Sequence, residues 1–225
     1  MKKGKIIFAG ITFIISFGLA LLVTNSFFDK NPFSKKTTKI SGLENIQDGD
    51  IIFQTSQSNQ CEAVRIATNS KFSHCGIIFI FKGERFVYEA VQPVRLTPID
   101  EWITHGKANA FVVKRLKEAK KILTPSKLKK MKDYGKKFHN KEYDLYFEWS
   151  DEKLYCSELV WKIYKQAAGI ELCQLQKLGD FNLKNKIVKD ILKMRYGTSI
   201  PLNEKVVAPS NIVNSKILET IIDTY

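Results

Sequence analysis

The segment Phe72–Phe81 constrains this chain most. It is a β-branched and aromatic run, followed by Lys82-Gly83-Glu84 and then by the alternating stretch Arg85–Val91. Apolar runs of that length bounded by turn residues read as strands, and two of them across a short polar turn read as an antiparallel hairpin. The surrounding sequence extends this frame. Asp50–Gln54 reads as a strand after a Gln47-Asp48-Gly49 turn, and Ala110–Leu116 as another. Glu62–Ala67 reads as a short helix with Ala63, Ile66 and Ala67 on one side, and Ile99–Thr104 as another after Pro98.

Two longer helices are expected further on. Thr124 is a natural N-cap with Pro125 in the first helical position, and Leu128, Met131 and Phe138 follow near helical spacing. Tyr155–Ala168 carries Leu159, Val160, Ile163 and Ala167 on one face and ends at Gly169. From Leu172 onwards the pattern is mixed and gives no clear elements. Strands clustered in one stretch, with helices after them, imply an α+β class: an antiparallel sheet with helices packed on it.

The 225 residues are 44% hydrophobic and 26% charged, enough to build one core of about 180 residues, expected at 46–225. Met1–Lys5 is a basic cap, and the 18 residues Ile6–Val23 carry no charge. This is the pattern of an export signal or a retained membrane anchor over residues 1–26, with a polar linker over 27–45. The body is expected outside the cytoplasm in either case.

The formal net charge is +13, which suits a nucleic acid, an anionic membrane face or an acidic polymer such as a cell wall; much of the excess lies between Lys114 and Lys141, where a solvated lysine-rich helix face is the alternative. No nucleic-acid-binding motif accompanies it. The cysteines are Cys61, Cys75, Cys156 and Cys173, with no CxxC pair and no histidine cluster near them, so neither a metal nor another cofactor is expected.

Cys156 stands in the first turn of an expected helix, where free amides and the dipole favour a thiolate. A buried structural cysteine is the alternative at that position. Of the three histidines, His74 opens the most apolar strand, whereas His105 and His139 lie at expected helix ends. Cys75 neighbours His74 and so points to the opposite face of the strand, towards the core.

Glu89 on the partner strand is the candidate to orient an imidazole. With a two- or four-residue loop, His74 and Glu89 share a face; with a three-residue loop they do not. A two-residue loop at Gly83-Glu84 would leave Glu89 four residues, roughly 13 Å, from the point opposite His74. A bulge, or a turn centred near Phe81-Lys82, is then required.

The segments GDIIFQTSQS at 49–58, SHCGI at 73–77, VYEAV at 87–91, YDLYFEWSDEKLYCSELVWKIYK at 143–165 and RYGTSIPLNEKVVAPSNI at 195–212 carry a family resemblance. Over about 47–212 the chain resembles the YiiX/YaeF group of permuted papain-like amidases, relatives of NlpC-type cell-wall peptidases and of lecithin:retinol acyltransferase. The resemblance implies a circularly permuted papain-like fold with the histidine strand before the cysteine helix. It implies Cys156 as nucleophile, His74 as base and Glu89 as the third residue. Cys75 departs from the small or β-branched residue expected beside the histidine.

The expected reaction is acyl transfer to Cys156 and then to water, with the oxyanion held by the Cys156 amide and by Tyr143 or Tyr155. A peptide or cell-wall-derived amide, including an amino-acid conjugate, is the first substrate class. A lipid-like acyl substrate is the second. A non-catalytic tethered binding protein on the same scaffold is the remaining alternative.

Overall fold

The computed structural model describes residues 42–225. The expected signal or anchor, including Ile6–Val23, and most of the expected linker lie outside them. The last residues of that linker, Leu43–Asn45, form a single 3-10 turn whose Leu43 is buried. Among the described residues no helix is long and apolar enough to cross a membrane.

The chain forms β1 (Ile51–Ser56), α1 (Asn59–Thr68), β2 (His74–Phe81), β3 (Glu84–Glu89), β4 (Arg95–Pro98), α2 (Ile99–Thr104) and β5 (Gly106–Leu116). Then come α3 (Ala119–Ile122), α4 (Pro125–Lys136) and α5 (Cys156–Lys162). The tail adds β6 (Gln176–Lys177), α6 (Lys186–Tyr196), β7 (Lys205–Val206), α7 (Pro209–Val213) and β8 (Leu218–Asp223). Six strands make one sheet in the order β4-β3-β2-β1-β5-β8, every neighbour antiparallel. β6 and β7 pair separately.

The central strands are apolar on both sides, and the reason is visible in their parity. Ile51, Phe53, Cys75, Ile77 and Phe79 belong to the core cluster that contains Leu159, Val160 and Ile163 of the α5 segment. Ile52, Ile78 and Val87 belong to a second cluster with Ile99, Trp102 and Ile103 of α2. Helices therefore cover both faces, and a continuous apolar strand is what such a sandwich requires. Asp50 is buried at the head of β1, and Arg115 grips it through two bonds of 2.8 Å.

The strand and helix readings hold, with boundaries moved by a few residues. Thr124 accepts from Lys127 N–H, and Pro125 opens α4 as expected. The helix expected over Tyr155–Ala168 is α-helical only to Lys162, then widens to a π turn over Ile163–Ala167 and ends at Gly169 with φ 73°. The tail hid most of the unread structure. In α6, Val188 and Leu192 are four residues apart and buried, and Asn185 caps the helix by accepting from Ile187 N–H. That spacing was present in the sequence. β8 was illegible because its pairing partner, β5, lies a hundred residues earlier.

The hairpin turn differs from both sequence expectations. Phe81 pairs with Glu84, so the loop is Lys82-Gly83, with both residues at positive φ (50° and 86°). Positive φ at both central residues matches the right-handed twist of the flanking strands. Neither a bulge nor a turn at Phe81-Lys82 is present in this hairpin.

Candidate active site

Cys156 begins α5, and Tyr155 is the cap residue before it. Tyr155 N–H donates to the Glu158 carboxylate over 3.4 Å, and Glu158 pairs with Lys162 at 2.8 Å, so the first turn is tied down from inside. The amides of that turn have no acceptor within the helix. Cys156 is 4% exposed.

His74 begins β2 opposite Gln54 of β1. Its ring stacks on Trp102, with centroids 5.8 Å apart and planes at 26°. Nε2 lies 2.5 Å from Glu89 Oε2. The remaining ring nitrogen, Nδ1, is the one left for the thiol. Glu89 is 1% exposed and holds two further donors: Trp102 Nε1–H at 2.8 Å and Thr97 Oγ–H at 2.6 Å. Three donors on one buried carboxylate keep it ionised and fix its orientation. Burial pushes the Glu89 carboxyl up, but the His74 bond, with Thr97 and Trp102, brings it below the usual carboxylate value.

The electrostatics of the cysteine and histidine are complementary. The neighbouring Cys75 thiol is the largest influence lowering the Cys156 pKa. Burial opposes it, and the His74 imidazolium adds to the lowering, so Cys156 falls well below 9.0. Burial disfavours charge on His74, but the Cys156 thiolate and then Glu89 raise it well above 6.5. Both shifts run in the direction that favours a thiolate beside an imidazolium. Cys75 moves the other way: burial and the adjacent Cys156 charge push its thiol well up.

The sequence placed Cys75 in the core on the face opposite His74, and there it lies. That face is the one α5 covers, so Cys75 reaches Cys156 from beneath. All four cysteines are free.

Tyr143 and Cys156 both line an apolar cavity. The Tyr143 hydroxyl accepts from Gln60 Nε2–H at 3.0 Å, leaving its own proton free to donate, and burial together with the Cys156 charge keeps it protonated. Tyr155 lines the same cavity, and its hydroxyl accepts Val207 N–H at 3.1 Å, which likewise leaves its own proton free. His105 caps the end of α2 and His139 follows α4. Thr97, Trp102, Gln60 and Gln54 escaped the sequence reading. Thr97 lies in the unread strand β4, and the other three are polar or aromatic residues whose role depends on what stands opposite them.

The fold and this geometry can be set beside known proteins. The family model described as "Permuted papain-like amidase enzyme, YaeF/YiiX, C92 family" matches residues 45–222. The chain belongs to this family. It is 41% identical over 175 residues to the "Uncharacterized protein YiiX" of Escherichia coli strain K12, covering 78% of this chain and 85% of that protein. The crystal structure of YiiX from Escherichia coli O157:H7 superposes with a TM-score of 0.76 at 41% identity, over 80% of this chain and 98% of that one.

The permuted papain-like amidase fold accounts for the order of elements, with the histidine strand ahead of the cysteine helix. That YiiX structure is described as a metalloprotein. In this chain no group of three or more His, Cys, Asp or Glu side chains suited to a metal converges among the described residues, so no step here is routed through one.

Proposed function

We propose that this family member is a cysteine amidase in which Cys156, His74 and Glu89 act as one catalytic unit. The observation that carries the proposal is the buried relay itself: Glu89 2.5 Å from His74 Nε2, with the other ring nitrogen left for a thiol at a helix start.

The Cys156 thiolate attacks the amide carbonyl, forming a C–S bond. The oxyanion is held by the Cys156 N–H and by the free proton of Tyr143. His74 Nδ1–H protonates the amine as the C–N bond breaks, leaving an acyl-enzyme. His74 then takes a proton from water, hydroxide adds to the acyl carbon, and the C–S bond breaks to regenerate the thiolate. Glu89 keeps the ring oriented and stabilises its charged form throughout; it is not itself protonated. Tyr155, with its hydroxyl bound to Val207 N–H, supports the turn that follows β7.

The charge-free run Ile6–Val23 behind a lysine cap supports work outside the cytoplasm, and the net charge of +13 supports attraction to an anionic envelope surface. The test of the catalytic reading is substitution. Cys156→Ser should remove both amide hydrolysis and iodoacetamide labelling at that position. Hydrolysis that persists in the variant overturns the proposal.

A further inference from the structure

His74 stands between two side chains of one sheet face. Glu89 of β3 holds its ring on one flank, and Gln54 of β1 lies directly opposite it on the other. Directly opposed residues share a face, with Cβ atoms about 4.5–5.5 Å apart. Gln54 is 1% exposed, yet its Oε1 is enclosed without a hydrogen-bond partner. Buried carboxamides are as a rule bonded, so this glutamine stabilises the fold less than an apolar residue of the same length would. Position 106 leaves room for it. A Cβ on Gly106 would lie 2.5 Å from Gln54 Oε1. Gly106 is not at positive φ, so its backbone would accept a side chain and the space beside Gln54 would not.

Gln54 and His74 line one groove, together with Ser56, Ser58, Gln60 and Gln92. In acyl transfer to Cys156 the amine leaves with the proton from His74, so whatever is bonded to that nitrogen lies in the groove. The wall offers it hydroxyls and carboxamides. Among the described residues its one lysine, Lys153, is paired with Glu142 at 2.7 Å, and no arginine lines it. A free carboxylate there would lack an unpaired lysine or arginine and would face the buried Glu89 charge. A carboxamide fits better. It carries an N–H for a glutamine oxygen and a C=O for a glutamine N–H, and the two ends of the Gln54 amide exchange by rotation about a soft torsion.

We infer that Gln54 is the specificity-determining residue for the leaving amine, and that this amine belongs to an amino acid whose carboxyl group is itself amidated, as it is inside a peptide. This deepens the amidase reading above and rests on it. The Gln54 carboxamide bonds the carboxamide of the departing residue while His74 protonates its nitrogen, and the bond it lacks in the free protein is made in the complex.

The test compares three substrates with one acyl group: N-acetyl-alanyl-alaninamide, N-acetyl-alanyl-alanine and N-acetyl-alanine ethylamide. For cleavage after the first alanine, kcat/KM should be about tenfold higher for the first than for the other two. Gln54→Met, nearly equal in length, should bring the three within about twofold of one another and raise the melting temperature by about 2–4 °C, since the enclosed oxygen is gone. Gly106→Ala, which crowds the carboxamide, should narrow the selectivity in the same direction. A second measurement needs no acyl group. Alaninamide should protect Cys156 from iodoacetamide and ethylamine should not, and the protection should vanish in Gln54→Met. Equal selectivity and equal protection in wild type and Gln54→Met, or a lower melting temperature in the variant, overturns this inference and leaves the amidase reading standing. A Cys156 that turns over none of the three substrates and does not react with iodoacetamide overturns both.

Discussion

Glu89 stands opposite Gly76, not opposite His74, and still binds the His74 ring at 2.5 Å across the diagonal of the hairpin. The β2–β3 register, Ile77 to Tyr88 and Phe81 to Glu84, carries Glu89 one step further to Gly76. A diagonal pair on one face is about 7 Å apart at the backbone, within reach of a glutamate and an imidazole together. The position between them carries no side chain.

Gly76 should therefore tolerate nothing larger. A Cβ there would lie 2.4 Å from Val87 Cγ1 and 2.9 Å from the Tyr88 carbonyl oxygen. Gly76→Ala must push β2 and β3 apart beside the Glu89–His74 bond. We expect a loss of about 2 kcal/mol in unfolding free energy, with a fall in kcat. Chemical denaturation checks the first and steady-state kinetics the second.

The thiolate–imidazolium pair sets the pH profile. Cys156 titrates below 9.0, and kcat/KM rises through that titration. His74 titrates above 6.5, and kcat/KM falls as its proton is lost. The plateau therefore lies between the lowered cysteine titration and the raised histidine titration. Iodoacetamide should alkylate Cys156 in mildly acidic buffer, while Cys75, held protonated, and Cys173, pushed up to about 12 by burial, stay unmodified. Peptide mapping by mass spectrometry reads the sites. Labelling of Cys156 only under alkaline conditions would refute the ion pair.

Cys75 should act on reactivity without touching the substrate. Its thiol is the largest influence lowering the Cys156 pKa. Cys75→Ala should move the acidic limb of the Cys156 alkylation profile to higher pH, with the alkaline limb of kcat/KM less affected. An unmoved acidic limb would refute the Cys75 side chain as a source of the lowering.

Glu89→Gln and Glu89→Ala should separate orientation from charge. Glutamine can still accept from the ring, so its main effect is loss of the negative charge that helps raise His74, and the alkaline limb should shift to lower pH. Alanine leaves the Trp102 and Thr97 donors and the ring without an acceptor. It should cost about 3 kcal/mol of stability and about a hundredfold or more in kcat. Equal pH profiles in wild type and Glu89→Gln would mean that Glu89 only holds the fold.

Arg115→Leu removes the partner of a carboxylate that is 1% exposed. About 3 kcal/mol should be lost near neutral pH. Burial already raises the Asp50 pKa above 3.8 despite Arg115, and without Arg115 it rises further. A raised folded-state pKa means that the folded variant binds the extra proton, so its deficit shrinks as pH falls towards that value. Urea titrations at neutral and acidic pH measure the difference.

The sequence by itself determined the local features, because their causes lie within a few residues. The apolar runs at Ile51–Phe53 and Ile77–Phe79 dictate strands. The Thr124-Pro125 start and the Gly169 stop mark helix ends, and Cys156 at a first turn is a candidate nucleophile by placement. Together with the quoted motifs these gave the family and the cysteine–histidine pair. The tertiary structure decided whatever depends on register and on distant segments meeting. A one-residue choice of turn, Lys82-Gly83, put Gly76 between His74 and Glu89. The covering of one sheet face by α5 brought Cys75 beneath Cys156. The packing of α6 against α1, more than a hundred residues apart, made the apolar cavity beside the nucleophile, and no pattern read along the chain encodes a space between two segments.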